Sequence, residues 1–186
     1  MPRVQLILPK RHGDARGWFT EVYSERAFAA LDITCRFVQD NHSMSAPRHT
    51  LRGLHYQSAP HAQDKLVRCI RGRILDVAVD IRTGSPTYGR SVGAELSAEN
   101  GHQLFVPAGF AHAFLTLEED CEVSYKVSDV YAPDCDGGIR WDSAGVDWRL
   151  PASVAPVLSP KDEVLPALKD FQSPFVYDGD PLLPLA

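Results

Sequence analysis

Apolar and polar residues alternate along this chain in short runs with a period of two. In CEVSYKV, residues 121–127, Cys121, Val123, Tyr125 and Val127 fall on one side, and Glu122, Ser124 and Lys126 on the other. Successive side chains of a strand point to opposite faces, so this is the pattern of a strand with one face buried. Strands are expected over residues 4–8, 36–41, 53–56, 65–71, 74–81, 90–96, 103–106, 113–117 and 123–127. Turn signals separate the later ones: Arg71-Gly72-Arg73, Thr83-Gly84-Ser85-Pro86, Glu99-Asn100-Gly101 and Pro107-Ala108-Gly109. Residues 14–23, DARGWFTEVY, open on a turn and become aromatic and β-branched; a polar loop is expected over 42–49. Long helical periodicity is absent. The first helix is expected over 24–31, SERAFAAL, with Ser24 as its cap and Glu25 in the first turn. Many short strands with regular turns indicate an all-β sandwich or barrel. The tail from Pro133, rich in Pro, Asp and Gly, is expected to wrap the barrel with one helical turn near 159–168. No repeat, low-complexity segment or linker divides residues 1–186, so one domain is expected.

Composition narrows the classes. Hydrophobic residues make up 44% and charged ones 23%, as in an ordinary soluble globular protein. A net charge of −5 argues against broad nucleic-acid binding, which needs a basic face. It leaves room for a small anionic ligand held by a few local Arg and Lys. Cys35, Cys69, Cys121 and Cys135 lie far apart with no CxxC pair, which reads as reduced thiols in a cytoplasmic protein. The apolar stretch at 4–8 is too short for a signal-peptide core, and no run approaches the roughly 20 apolar residues of a membrane span.

Candidate chemistry concentrates in residues 51–66, LRGLHYQSAPHAQDKL, which hold Arg52, His55, His61, Asp64 and Lys65. Imidazole exchanges protons near neutral pH, an ammonium can stabilise a developing negative charge, and a guanidinium can hold a phosphate or carboxylate. The combination suggests acid–base chemistry on an anionic substrate. Several of these residues have two readings. Tyr125 shares the inward face of its strand, as a core tyrosine whose hydroxyl has a partner or as a phenol that donates a proton inside the barrel. Lys65 begins a strand with no cleanly apolar face; it is either solvated at the strand end or aimed into a pocket. Asp162 follows Ser159-Pro160 as a helix-start acid, or it is the carboxylate that orients His55. Arg16 and Arg52 are the candidate anion holders. Arg52 is the better placed, three residues from His55 beside Gly53, where a ligand can approach closely.

The segments DARGWFTEVY, FVQDNHS, LRGLHYQ, QDKLVRCIRGRILDVAVDIRTGSPTYG, QLFVPAGFAHAF, YKVSDVYAPDCDGGIRWD and LSPKD run in order over most of the chain. Together they resemble the dTDP-4-dehydrorhamnose 3,5-epimerase family. The resemblance implies a jelly-roll (cupin-type) barrel, a homodimer, and neither metal nor organic cofactor. It implies a nucleotide-sugar substrate with a ketone at C4″, epimerised at C3″ and C5″ through enolates. It gives His55 the role of base, Asp162 that of its carboxylate partner, Tyr125 that of acid and Lys65 that of enolate stabiliser. Arg16 and Arg52 match residues at the pyrophosphate, and Phe19, Glu21, Gln39, Asn41, His112 and Tyr131 match other pocket positions. His61 and Asp64 receive no role and are expected to be loop residues.

His112 in PAGFAHAF sits where many cupins place a metal ligand, but such sites also need a His-x-His pair, and here a single His55 lies between Leu54 and Tyr56. That counts against a metal-dependent oxygenase or isomerase. The chain departs from the family at Ala113, where Gly is usual, and in WDSAGVDWRLP. Ala113 either tightens the pocket or is harmless. The alternatives are an epimerase acting at one carbon only, a 3,4-ketoisomerase on a related barrel and a non-catalytic sugar-binding cupin.

Overall fold

A computed structural model describes residues 3–177 and 179–185. The alternating segments build two five-stranded sheets, antiparallel throughout. One has the order β1 (Gln5–Ile7), β9 (Gln103–Val106), β6 (Lys65–Arg71), β11 (Cys121–Val127), β4 (Gln39–Ser45). The other runs β12 (Asp136–Gly138), β5 (Leu51–Gln57), β10 (Phe110–Thr116), β7 (Arg73–Asp80), β8 (Ser91–Ser97). Apart from the consecutive pair β7 and β8, neighbours in each sheet are not consecutive in the chain, and the two sheets enclose one core in the jelly-roll arrangement that the resemblance implied.

The core has an inside and two outer layers. Val67, Cys69, Ile74, Ala78, Leu96, Leu104, Phe110, Phe114 and Val123 pack between the sheets. Leu54, Leu75, Val77, Val79, Ala111, Ala113 and Leu115, facing the other way, pack with Ile139, Ala144 and Trp148 of the C-terminal tail. On the first sheet, Leu66 and Phe105 pack against Phe28 of α1 (Glu25–Ala29) and Ile33. Strands β7 and β10 are therefore covered on both faces, which is why ILDVAVD and FAHAFLT show little alternation. Burying a side chain such as Ile139 completely stabilises the fold by about 1.5–3 kcal/mol, so the tail is part of the fold rather than an appendage.

Two expectations need correction. The strand expected over 36–41 starts later and runs on into the expected loop: β4 pairs with β11 from Gln39 to Ser45. Its inward positions, Gln39, Asn41 and Ser43, are polar because they face a cavity, so the apolar half of the alternation is missing. Residues 14–23, read as a turn followed by aromatic and β-branched residues, lie outside both sheets. Arg11–Asp14 (β2) and Gly17–Thr20 (β3) form a separate two-stranded hairpin, with Trp18 58% and Phe19 71% exposed. The first helix is shorter than expected, although Ser24 caps it as expected, accepting from the Ala27 amide at 3.3 Å. The tail carries the expected helical turn, α2 (Pro160–Glu163), and adds β12 to the edge of β5.

Candidate active site

Between the sheets lies a cavity with two adjoining lobes of about 400 and 420 Å³. His55, Lys65, Tyr125 and Lys161 line both. Arg52, His112 and Asp162 line the first lobe; Gln39, Asn41, Tyr131 and Asp136 line the second.

A local irregularity brings Arg52 and His55 to the same face. Strict alternation would point residues three apart in opposite directions. On β10, however, His112 pairs with His55 and Phe114 with Arg52, so three steps along β5 match two along β10. The extra residue is a β-bulge, and it turns Arg52 inward with His55. Gly53 sits in it at φ +126°, and a Cβ there would lie 2.5 Å from both the Ala113 Cβ and the His112 carbonyl oxygen. Only glycine fits.

His55 Nε2 lies 2.6 Å from Oδ1 of Asp162, which is only 2% exposed. The two readings of Asp162 are compatible. Its backbone amide donates to the capping hydroxyl of Ser159 at 3.2 Å, which leaves its carboxylate for His55. Burial pushes the Asp162 carboxyl up, but the hydrogen bond and charge of His55, with Ser159 and the Gly53 amide, outweigh it and hold the pKa below the usual range.

Lys65 does not project into solvent. Its Nζ donates to the His55 carbonyl at 3.4 Å. Burial lowers its pKa to about 8; Asp136 and Asp76 oppose the shift, and Lys161 adds to it. At neutral pH it remains mostly cationic. Tyr125 packs against the inner core, and among the described residues its hydroxyl has no hydrogen-bond partner, which is not how a purely structural core tyrosine sits. Burial raises its pKa, with Arg52 opposing and Asp136 assisting, so the phenol keeps its proton. His55 comes from one sheet and Tyr125 from the other.

The remaining pocket residues are held by one another. Arg52 donates to Ser45 Oγ and the Met44 carbonyl, each at 3.0 Å. The Gln39 amide nitrogen donates to Asn41 Oδ1 at 2.8 Å, and its oxygen accepts from the Tyr131 amide at 3.2 Å. The Tyr131 hydroxyl donates to Asp136 Oδ2 at 3.2 Å, and Lys161 is paired with the same carboxylate. His112 Nε2 lies 2.8 Å from Asp76 Oδ1.

Three expected site residues are not brought to the cavity. Arg16 pairs with Asp14 on the exposed hairpin at 2.5 Å, and Phe19 and Glu21 line a separate groove with Lys10 and His12. His61 and Asp64 are loop residues, as expected: His61 Nδ1 lies 3.3 Å from Asp129 Oδ2, and Asp64 Oδ1 accepts from the Ala108 amide. Ala113 faces the outer core, away from the cavity, so it does not tighten the pocket.

Sequence reasoning missed Asp76, Asp136 and Lys161. Lys161 stands beside Asp162 in LSPKD, and Asp76 is a charge inside the apolar run ILDVAVD; both signals were legible. Among the described residues, no group of three or more His, Cys, Asp or Glu side chains is arranged to hold a metal ion.

A family model described as dTDP-4-dehydrorhamnose 3,5-epimerase matches residues 1–170. The dTDP-4-dehydrorhamnose 3,5-epimerase of Sinorhizobium fredii is 51% identical over 174 residues, covering 94% of this chain and 89% of that protein. The enzyme of the same name from Salmonella typhimurium is 48% identical over 169 residues, covering 90% and 92%. Among solved structures, the dTDP-6-deoxy-D-glucose-3,5-epimerase of Legionella pneumophila in complex with dTDP-4-keto-L-rhamnose superposes with a TM-score of 0.87 at 42% identity, covering 95% of this chain and 94% of that one.

Proposed function

The chain belongs to the dTDP-4-dehydrorhamnose 3,5-epimerase family, and from that premise we propose how its residues carry out the reaction. The enzyme converts dTDP-4-dehydro-6-deoxy-D-glucose to dTDP-4-dehydro-L-rhamnose by removing and returning protons at C3″ and C5″. A proton next to a ketone is too weakly acidic for a neutral imidazole to remove unaided. The C4″ oxygen must be stabilised as it gains negative charge, by donors already in place in a site that excludes water. Lys65 does this, held as a cation between the sheets. His55 removes the proton, and Asp162 keeps its ring oriented and offsets the positive charge it acquires. Tyr125 returns a proton from the other face, which inverts the carbon. C3″ and C5″ flank the same carbonyl, so one Lys65 serves both. The observation that carries this reading is the His55–Asp162 pair at 2.6 Å in a cavity that Lys65 and Tyr125 also line.

Arg52 holds the pyrophosphate, and Gln39, Asn41, His112 and Tyr131 line the remainder of the substrate site. For Arg16, Phe19 and Glu21 we propose a homodimer: the exposed hairpin of one protomer reaches the cavity of its partner. The exposure of Trp18 and Phe19 on a hairpin outside both sheets supports this. We place the enzyme in the cytoplasm; its four cysteines are free, and among the described residues no helix is long and apolar enough to cross a membrane.

Incubation with dTDP-4-dehydro-6-deoxy-D-glucose in heavy water tests the reading. Deuterium is expected at both C3″ and C5″. Label at one carbon only would narrow the enzyme to a single-site epimerase, and label at neither would falsify the assignment of this substrate. His55→Ala should abolish exchange. Tyr125→Phe should impair complete inversion more than the first proton abstraction.

A further inference from the structure

Asp76 is fully buried on the inner face of β7, and the mechanism above does not use it. Its neighbour Asp80 is also fully buried, but its carboxylate accepts from Arg82, Ser85 and Thr87. Asp76 is different. Oδ1 meets His112 Nε2 at 2.8 Å, and Oδ2 has no hydrogen-bond partner among the described residues. Burial pushes the Asp76 carboxyl up, while the charge and hydrogen bond of His112 and the charge of Lys65 favour its ionised form; a group buried at that cost is not accounted for by packing alone.

The register of the sheet shows what Asp76 can act on. His112 stands opposite His55 on one side and Ala78 on the other, and Asp76 stands opposite Phe114. The His112–Asp76 hydrogen bond crosses to β7 on the diagonal, so His112, a lining residue, stands between the Asp76 carboxylate and the cavity. Because Asp76 occupies Nε2, the ring edge left for a ligand is Nδ1, which has no hydrogen-bond partner among the described residues.

We propose that Asp76 is a positioning residue for the epimerisation: through His112 it turns Nδ1 toward the substrate, and its negative charge holds Lys65 in the cationic form. This rests on the reading of Lys65 as the enolate stabiliser. Lys65 shares the cavity with ionisable groups from every side: Arg52 and His55 on β5, His112 on β10, Tyr125 on β11, Tyr131 beyond it, Asp136 on β12, and Lys161 and Asp162 on α2, with Asp76 on β7 behind His112. Among them, Asp136 and Asp76 work against the loss of its proton. Asp136 already pairs with Lys161, whereas Asp76 keeps an oxygen unpaired.

The test is the pH profile of kcat/KM for Asp76→Asn, which keeps the shape and removes the charge. In the unaltered enzyme an alkaline limb is expected near the Lys65 value of about 8. In Asp76→Asn the limb should move down by roughly half a pH unit or more. At alkaline pH kcat should fall about threefold or more while KM changes little. His112→Asn should lower kcat and leave the limb in place. A limb that does not move in folded Asp76→Asn overturns the proposal. Should that variant fail to fold, Asp76→Ser is read in the same way. The unaltered enzyme provides an independent check: nitrogen NMR must show His112 Nε2 hydrogen-bonded, and a free Nε2 overturns the proposal as well. Absence of solvent exchange in the unaltered enzyme would instead remove the epimerase reading, which keeps the two failures distinct.

Discussion

His55 and Asp162 are 107 positions apart in the chain and 2.6 Å apart in the barrel. Their pairing couples stability to pH. Asp162 titrates lower in the folded chain than its ordinary 3.8. The stabilisation it contributes is therefore fully present above that value and is lost as pH falls through the folded one. Asp162→Asn should cost about 1–3 kcal/mol at neutral pH and progressively less as pH falls below 3.8, measured by urea unfolding at neutral and at acid pH. An equal cost at the two pH values would show that the charge contributes nothing to the fold. The same substitution should slow proton abstraction, because the imidazole loses the group that orients it.

Among the elements, β5 is the one on which the site depends most. A regular strand would send Arg52 or His55 outward, and the bulge at Gly53 prevents this. The fit is tight, since β10 leaves no room for a Cβ and the backbone is in a region that other residues avoid. Gly53→Ala should therefore destabilise the chain by about 2–5 kcal/mol, read from the denaturation midpoint. It should also weaken substrate binding and exchange together, because it displaces Arg52 and His55 as a unit. A variant that kept native stability and activity would mean that the bulge relaxes without effect. Strand β4 offers a second lesson. Its polar inner face is correct for a cavity wall, and for that reason it resembled a loop in the sequence.

At the scale of the whole molecule, the proposed dimer joins the hairpin of one protomer to the cavity of the other. If the hairpin completes the partner's site in this way, two inactive variants can complement each other. His55→Ala lacks the base, and Arg16→Ala combined with Phe19→Ala lacks the hairpin contacts. In a mixed dimer one site would have an intact cavity and an intact hairpin. Recovery of about a quarter of wild-type activity is expected when equal amounts are unfolded and refolded together, since half the dimers are mixed and each holds one competent site. No recovery, or a monomer in sedimentation, would remove the proposed role of the hairpin.

Much of the fold and part of the site were legible in the amino-acid order alone. The alternation in CEVSYKV placed Tyr125 on the inward face, and the spaced turns marked an all-β fold, because a strand repeats its environment every two residues. Residue chemistry singled out the stretch around His55 and Lys65, and the family resemblance supplied their roles and their distant partners. The tertiary structure decided what local patterns do not encode. The bulge at Gly53 put Arg52 and His55 on one face. The capped turn at Ser159 freed the Asp162 carboxylate. Burial between two sheets lowered the Lys65 pKa to about 8. The fold also left the Arg16, Phe19 and Glu21 hairpin outside the cavity, although the family resemblance implied pocket positions for those residues. A sequence pattern reports which face a residue takes along its own element. Which groups share a cavity, and what that proximity does to their protons, depends on how distant strands close around it.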